Sequence, residues 1–166
     1  MPASAPATKR HAPAADATGI SLENFIPYRL AVVAREMSAE LARKYEDEFG
    51  ISIPEWRVMA HLAEIRTCSS GDICARTAMD KAQVNRAVTR LAAAGLIIAG
   101  VSNIDRRLNV LTLSRRGQAI YQRISPIALE AERRMSGSLT DAERATLLRL
   151  LGKLQNDIDG YRAPAT

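Results

Sequence analysis

The stretch MDKAQVNRAVTRLAAAGLI, Met79–Ile97, decides the fold. A helix turns about 100° per residue, so with Val84 pointing inward, Ala87, Val88 and Leu91 share its side. Ala82, Arg86, Thr89 and Ala93 then point away, with Asn85 on one flank and Gln83 and Arg90 on the other. Asp80 stands at an N-cap position and Gln83 three residues on completes a capping-box pattern. Gly95 is a helix stop with Leu96 packing back behind it. The outward side offers amides, a hydroxyl and guanidiniums, and within the stretch no acidic residue follows Asp80. Such side chains read base edges and bind phosphates in a major groove. An ordinary solvated face is the competing reading, and the flanking sequence decides between them.

Upstream, Ser69 and Asp72 sit at capping-box spacing in CSSGDICARTA, which predicts a short helix. Thr77-Ala78-Met79 is then a tight turn into the next helix, giving a helix-turn-helix whose second member enters the groove. Before it, Ser52-Ile-Pro-Glu55 carries a capping box and an early-turn proline and opens a helix that continues as EWRVMAHLAEI. Gly50 closes a longer helix over Leu22 to Glu48, with Leu30, Val33, Met37, Leu41, Tyr45 and Phe49 at steps of three or four. Its roughly 25 residues span about 38 Å, a stripe too long to be covered within one small domain. Downstream, LIIAGV and LNVLTL are β-prone runs enclosing SNIDRR. A hairpin there is a wing, with Arg106 and Arg107 on its tip, cations that a narrow minor groove attracts. Ser114 caps a fifth helix, which Pro126 should bend. Thr140 and Glu143 form a further capping box, and the last helix shows a wide apolar face of Leu147, Leu148, Leu150, Leu151, Leu154 and Ile158. Surplus apolar surface on both terminal helices predicts a shared dimer interface.

The expected fold class is therefore mainly α: a winged helix-turn-helix (53–114) with long N- and C-terminal dimerisation helices (22–48 and 115–160) and a two-stranded wing. Residues 1–20 read as a disordered tail ahead of a domain over 21–160, since positions 1–19 hold seven Ala and three Pro and no large apolar residue after Met1. The excess of 23 Lys and Arg over 18 Asp and Glu, a net charge of +5, permits a polyanionic partner. No apolar run is long enough for a membrane span and no signal-peptide segment begins the chain, so a cytoplasmic location is expected. Two Cys argue for reduced thiols rather than a disulfide framework.

This order of elements resembles the MarR family of winged-helix transcription regulators over roughly Ser21 to Gly160. The most specific part runs from Ala87 to Gly117 and contains RLAAAGLI and NIDRRLNVLTLSRRG. IPEWRVMAHL is similar to the family's second helix. Where many members carry a charged residue just before Asp-Arg-Arg, this chain has Asn103-Ile104. The resemblance implies a homodimer on double-stranded DNA with a near-palindromic operator. Ser70, Lys81, Gln83, Asn85, Arg86, Thr89, Arg90, Arg106 and Arg107 are then the DNA-binding candidates. Asp105 would orient an arginine of the wing or recognition helix, because a carboxylate facing DNA repels phosphate. Arg115 and Arg116 fit a solvated face as well as phosphate contact.

The family commonly holds small aromatic acids between its dimerisation helices and its DNA-binding lobe. Tyr28, Arg29, Trp56 and His61 are the ligand candidates, an aromatic wall beside a cation suiting an aromatic carboxylate or its aryl-CoA thioester. The expectation is a repressor released by such an effector, with no cofactor and no metal. One alternative is a thiol-based sensor using Cys68, at a helix start where thiolates are favoured. Cys74 reads as a small buried residue and cannot bridge to Cys68 within one helix. The other alternative, an enzyme acting on an aromatic acid thioester, lacks a phosphate-binding glycine loop, a metal-ligand cluster or a nucleophile motif, and no catalytic residue is assigned.

Overall fold

The computed structural model describes residues 19–101 and 109–162. Most of the Ala/Pro-rich tail and the wing-tip candidates Asp105, Arg106 and Arg107 therefore lie outside the described residues. The chain divides into two units between Arg35 and Glu36. In the first, a turn precedes helix α1 (Ile26–Phe49). Asn24 donates its backbone N–H to the Ser21 carbonyl (3.0 Å) and its side-chain amide to Ser21 Oγ (3.3 Å). The helix begins later than the expected Leu22. Pro27 occupies its first turn, and a proline disfavours helical geometry in the residues before it, so the chain turns first.

The second unit holds the rest of α1, then α2 (Ile53–Ile65), α3 (Ser70–Arg76), α4 (Lys81–Ala93), β1 (Ile97–Val101), β2 (Asn109–Leu113), α5 (Arg115–Met135) and α6 (Asp141–Arg162). This is the mainly α winged helix-turn-helix that the sequence predicted. Four capping boxes lie where the spacing put them, the Asp80–Gln83 box of α4 among them. Ser52 donates its N–H and Oγ to Glu55 (2.7 and 2.6 Å). Ser69 exchanges bonds with Asp72, and Thr140 with Glu143. α5 continues as one helix through Pro126.

The core gathers Tyr45, Val58, Met59, Leu62, Ile73, Val84, Leu91 and Ile124, each fully buried. α4 packs on α2 and α3, and α2 also packs on α5 and β2. β1 and β2 pair antiparallel, Ile97 opposite Leu113 and Val101 opposite Asn109. Cys68 adds a one-residue third strand: its N–H reaches the Leu111 carbonyl (3.3 Å), and Leu111 N–H returns to the Cys68 carbonyl (2.8 Å). Sequence patterning does not reveal this stitch, because a single bridge has no periodicity. Among the described residues no helix is long and apolar enough to cross a membrane. Nor does any group of three His, Cys, Asp or Glu side chains gather there as metal ligands.

Candidate nucleic-acid interface

The local chemistry of α4 sets its ends and its rotation. Asp80 Oδ1 accepts from Gln83 N–H (2.7 Å) and Gln83 Oε1 accepts from Asp80 N–H (3.0 Å), satisfying donors that a helix start leaves unpaired. At the other end Gly95 takes a positive φ of 68°. Leu96 N–H bonds the Leu91 carbonyl and Gly95 N–H bonds that of Ala92, each at 2.9 Å, a Schellman termination. Between these stops Val84, Ala87 and Leu91 are buried. Lys81, Ala82, Asn85, Arg86, Thr89 and Arg90 are exposed, and Gln83 is half-buried. The inward and outward sides are those that the sequence predicted.

The exposed side carries three cations, and the single carboxylate at its start, Asp80, is occupied by capping. Gln83 has spent its amide oxygen on the cap, so only its NH₂ group is free to donate outward. Next to this side lies the start of α2: Ser52, Pro54 and Glu55 border a cleft of about 140 Å³ together with Gln83, Arg86 and Arg90. Glu55 is buried there, a position no sequence signal marked beyond its capping role. Ser70 opens α3 and is half-buried. Bonds from the Ser69 backbone and hydroxyl hold the Asp72 carboxyl below the usual carboxylate range.

The wing is locked to α4 and α5 by one junction. Ser114 N–H bonds the Leu96 carbonyl (2.9 Å). Ser114 Oγ donates to the Gly95 carbonyl (2.7 Å) and accepts from Gly117 N–H (2.9 Å). Arg116 donates to the Ala94 carbonyl at 3.2 Å, so its guanidinium completes the C-terminal end of α4, a third role beside the two that the sequence left open.

The ligand candidates fall in both units. Tyr28 and Arg29 are exposed on α1 in the first unit. In the second unit Trp56 stands between two tyrosines, its ring 5.7 Å from Tyr45 and 5.5 Å from Tyr121, packed against the core. His61 lines a cavity of about 760 Å³ formed by α2, the end of α3, the turn before α4 and the last turns of α6. The sequence carried no mark of the partners that α6 brings there, because contacts between distant segments leave no local pattern.

The thiol expectation is corrected. Cys68 is buried at 6% exposure, lies before α3 rather than within its first turn, and is tied into the sheet. Burial, followed by the nearby Asp72 charge, pushes its thiol up, which disfavours the thiolate an oxidant sensor needs. Cys74, expected to be buried, is the more open of the two.

Residues 49–108 match the MarR family model. The homoprotocatechuate degradative operon repressor of Escherichia coli is 25% identical over 134 residues, covering 76% of this chain and 90% of that protein. Among solved structures, a MarR/EmrR family transcriptional regulator from Acinetobacter sp. ADP1 superposes with a TM-score of 0.79 at 28% identity, over 85% of this chain and 99% of that one. Bordetella bronchiseptica BpsR, whose DNA binding is regulated by 6-hydroxynicotinic acid, gives 0.72 at 25% identity over 82% and 97%. The family-model match over the helix-turn-helix and wing, the shared winged-helix fold and the exposed side of α4 all agree, and the chain is similar to transcriptional regulators of the MarR family.

Proposed function

We propose that the protein is a homodimeric repressor that binds a near-palindromic operator and is released by a small aromatic acid or its CoA thioester. The observation that carries the DNA reading is the exposed α4 side, with Lys81, Asn85, Arg86, Thr89 and Arg90 outward and no free carboxylate among them. Each α4 enters a major groove, with half-site centres about 10 bp apart. Arg106 and Arg107 reach the neighbouring minor groove and Asp105 holds a guanidinium in place. Two relatives support the effector class: one represses an operon for homoprotocatechuate degradation, the other answers to 6-hydroxynicotinic acid. Dimerisation is supported by the apolar side chains that α6 leaves exposed.

The test is gel shift and footprinting on DNA upstream of the protein's own gene, repeated with aromatic acids and their CoA thioesters. A protected window with dyad symmetry, lost when one effector is added, is the expected result. Uniform coverage without a preferred window would reject a sequence-specific regulator.

A further inference from the structure

The helices α2, α3, α4 and α6 each open on a capping box, and the side chains that reach back to the cap differ in their surroundings. Asp72 and Glu143 do this while exposed, and Gln83 does it half-buried and uncharged. Glu55 does it from inside the protein, at 6% exposure. A capping box therefore requires neither burial nor charge, and a carboxylate taken out of water without a cation is unfavourable. Glu55 Oε2 accepts both bonds of its cap, from Ser52 N–H and Ser52 Oγ, while Oε1 accepts none. The same side chain borders the cleft of about 140 Å³ between α2 and α4, which Gln83, Arg86, Ala87 and Arg90 line from α4. Among the described residues neither Arg86 nor Arg90 forms an ion pair. A buried carboxylate with an open oxygen thus stands beside two unengaged guanidiniums at the edge of the groove-facing side of α4.

We infer that Glu55 is a positioning residue for base reading: as α4 enters a major groove, its open oxygen takes the guanidinium of Arg86 and holds it toward the base edges. The inference rests on the reading of α4 as the groove helix. Arg86 is favoured over Arg90 because the N-terminal residues of a recognition helix contact the bases, and Arg90 lies in the last turn of α4. Docking expels water from the cleft, which strengthens the attraction between the two charges. A guanidinium has five N–H donors, so one edge engages Oε1 while another donates to guanine O6 and N7. The carboxylate also competes with phosphate for the same arginine. Held in this way, Arg86 adds to binding where its base is present and little where it is not. Without the charge Arg86 swings to the backbone of any sequence, and a phosphate contact carries no sequence information.

The experiment compares full-length wild type and Glu55→Gln on two duplexes of equal length, the window footprinted upstream of the protein's own gene and a scrambled version of it. Glutamine preserves the cap, as Gln83 does in α4, so the denaturant midpoint should stay near that of wild type. Discrimination between the duplexes should fall about tenfold, the scale of one base contact. Binding to the scrambled duplex should tighten, and its salt slope should steepen by about 1. Ser52→Ala weakens the cap and leaves the carboxylate, so it should lower the midpoint and preserve discrimination. In an Arg86→Ala background Glu55→Gln should change discrimination no further, and in an Arg90→Ala background it should keep its full effect. The inference is overturned if Glu55→Gln leaves discrimination intact, if its midpoint collapses because the cap needs the charge, if Ser52→Ala lowers discrimination as much, or if the effect persists without Arg86. In each of those cases discrimination by the wild type leaves the regulator reading standing. A wild-type protein that binds both duplexes equally rejects that reading, and this inference falls with it.

Discussion

Gly117 has no room for a methyl group. A Cβ built there would sit 1.9 Å from the Leu96 carbonyl oxygen and 2.9 Å from its carbon, both backbone atoms that cannot swing aside. Gly117→Ala should therefore break the junction of wing and α5, destabilising the fold by about 3 kcal/mol or more, read as a lowered denaturant midpoint. Arg66 presents the opposite case. It holds φ at 67°, and Thr67 N–H bonds the Ile65 carbonyl (2.9 Å) around it, a tight turn that suits glycine. Arg66→Gly should raise stability by about 1 kcal/mol, and an unchanged or lower melting temperature would contradict the strain. At the DNA face the two kinds of contact separate by experiment. Arg86→Ala should relax base preference, whereas Arg107→Ala should weaken specific and random DNA alike and reduce the salt slope by about 1. Equal loss on both DNAs from Arg86→Ala would remove it from base readout.

The elements differ in how much of their chemistry was legible beforehand. α4 was readable almost completely, because its cap, its stop and its apolar stripe all lie within twenty residues of one another. α2 was readable as a helix but not in its packing: Trp56 offered either a ligand wall or a core residue, and only the tertiary structure brings Tyr45 from α1 and Tyr121 from α5 against its ring. That stack has a consequence in alkali. Burial, helped by the Glu46 charge and opposed by Arg57, pushes the Tyr45 phenol up to about 12. A folded-state value above the unfolded one means that the stabilisation is complete below the ordinary value of 10.0 and is lost as pH rises through about 12. Thermal stability should fall across that window, and Tyr45→Phe, which cannot ionise, should flatten the fall. A wild-type profile unaffected by the substitution would place the alkaline transition elsewhere.

For the whole molecule the decisive feature is surface left uncovered. No residue of α6 is buried. Leu147, Leu148, Leu150, Leu151 and Ile158 are 37–58% exposed, and Leu30 and Val33 on α1 are open as well. An apolar helix face of this length is unusual on a monomer and ordinary at a subunit interface. Replacing Leu147 and Leu150 together with Glu should halve the mass seen by sedimentation and abolish high-affinity operator binding, since each subunit would then hold one half-site alone. An unchanged mass would reject α6 as the contact. The sequence by itself determined the helix-turn-helix, the wing and the outward side of α4, because caps, stops and periodic apolar residues act over one or two helical turns. Only the tertiary structure decided the surroundings of Cys68, Trp56, His61 and Arg116. Each depends on a partner far along the chain, and burial, ring stacking and cavity walls arise from segments whose meeting no local pattern records.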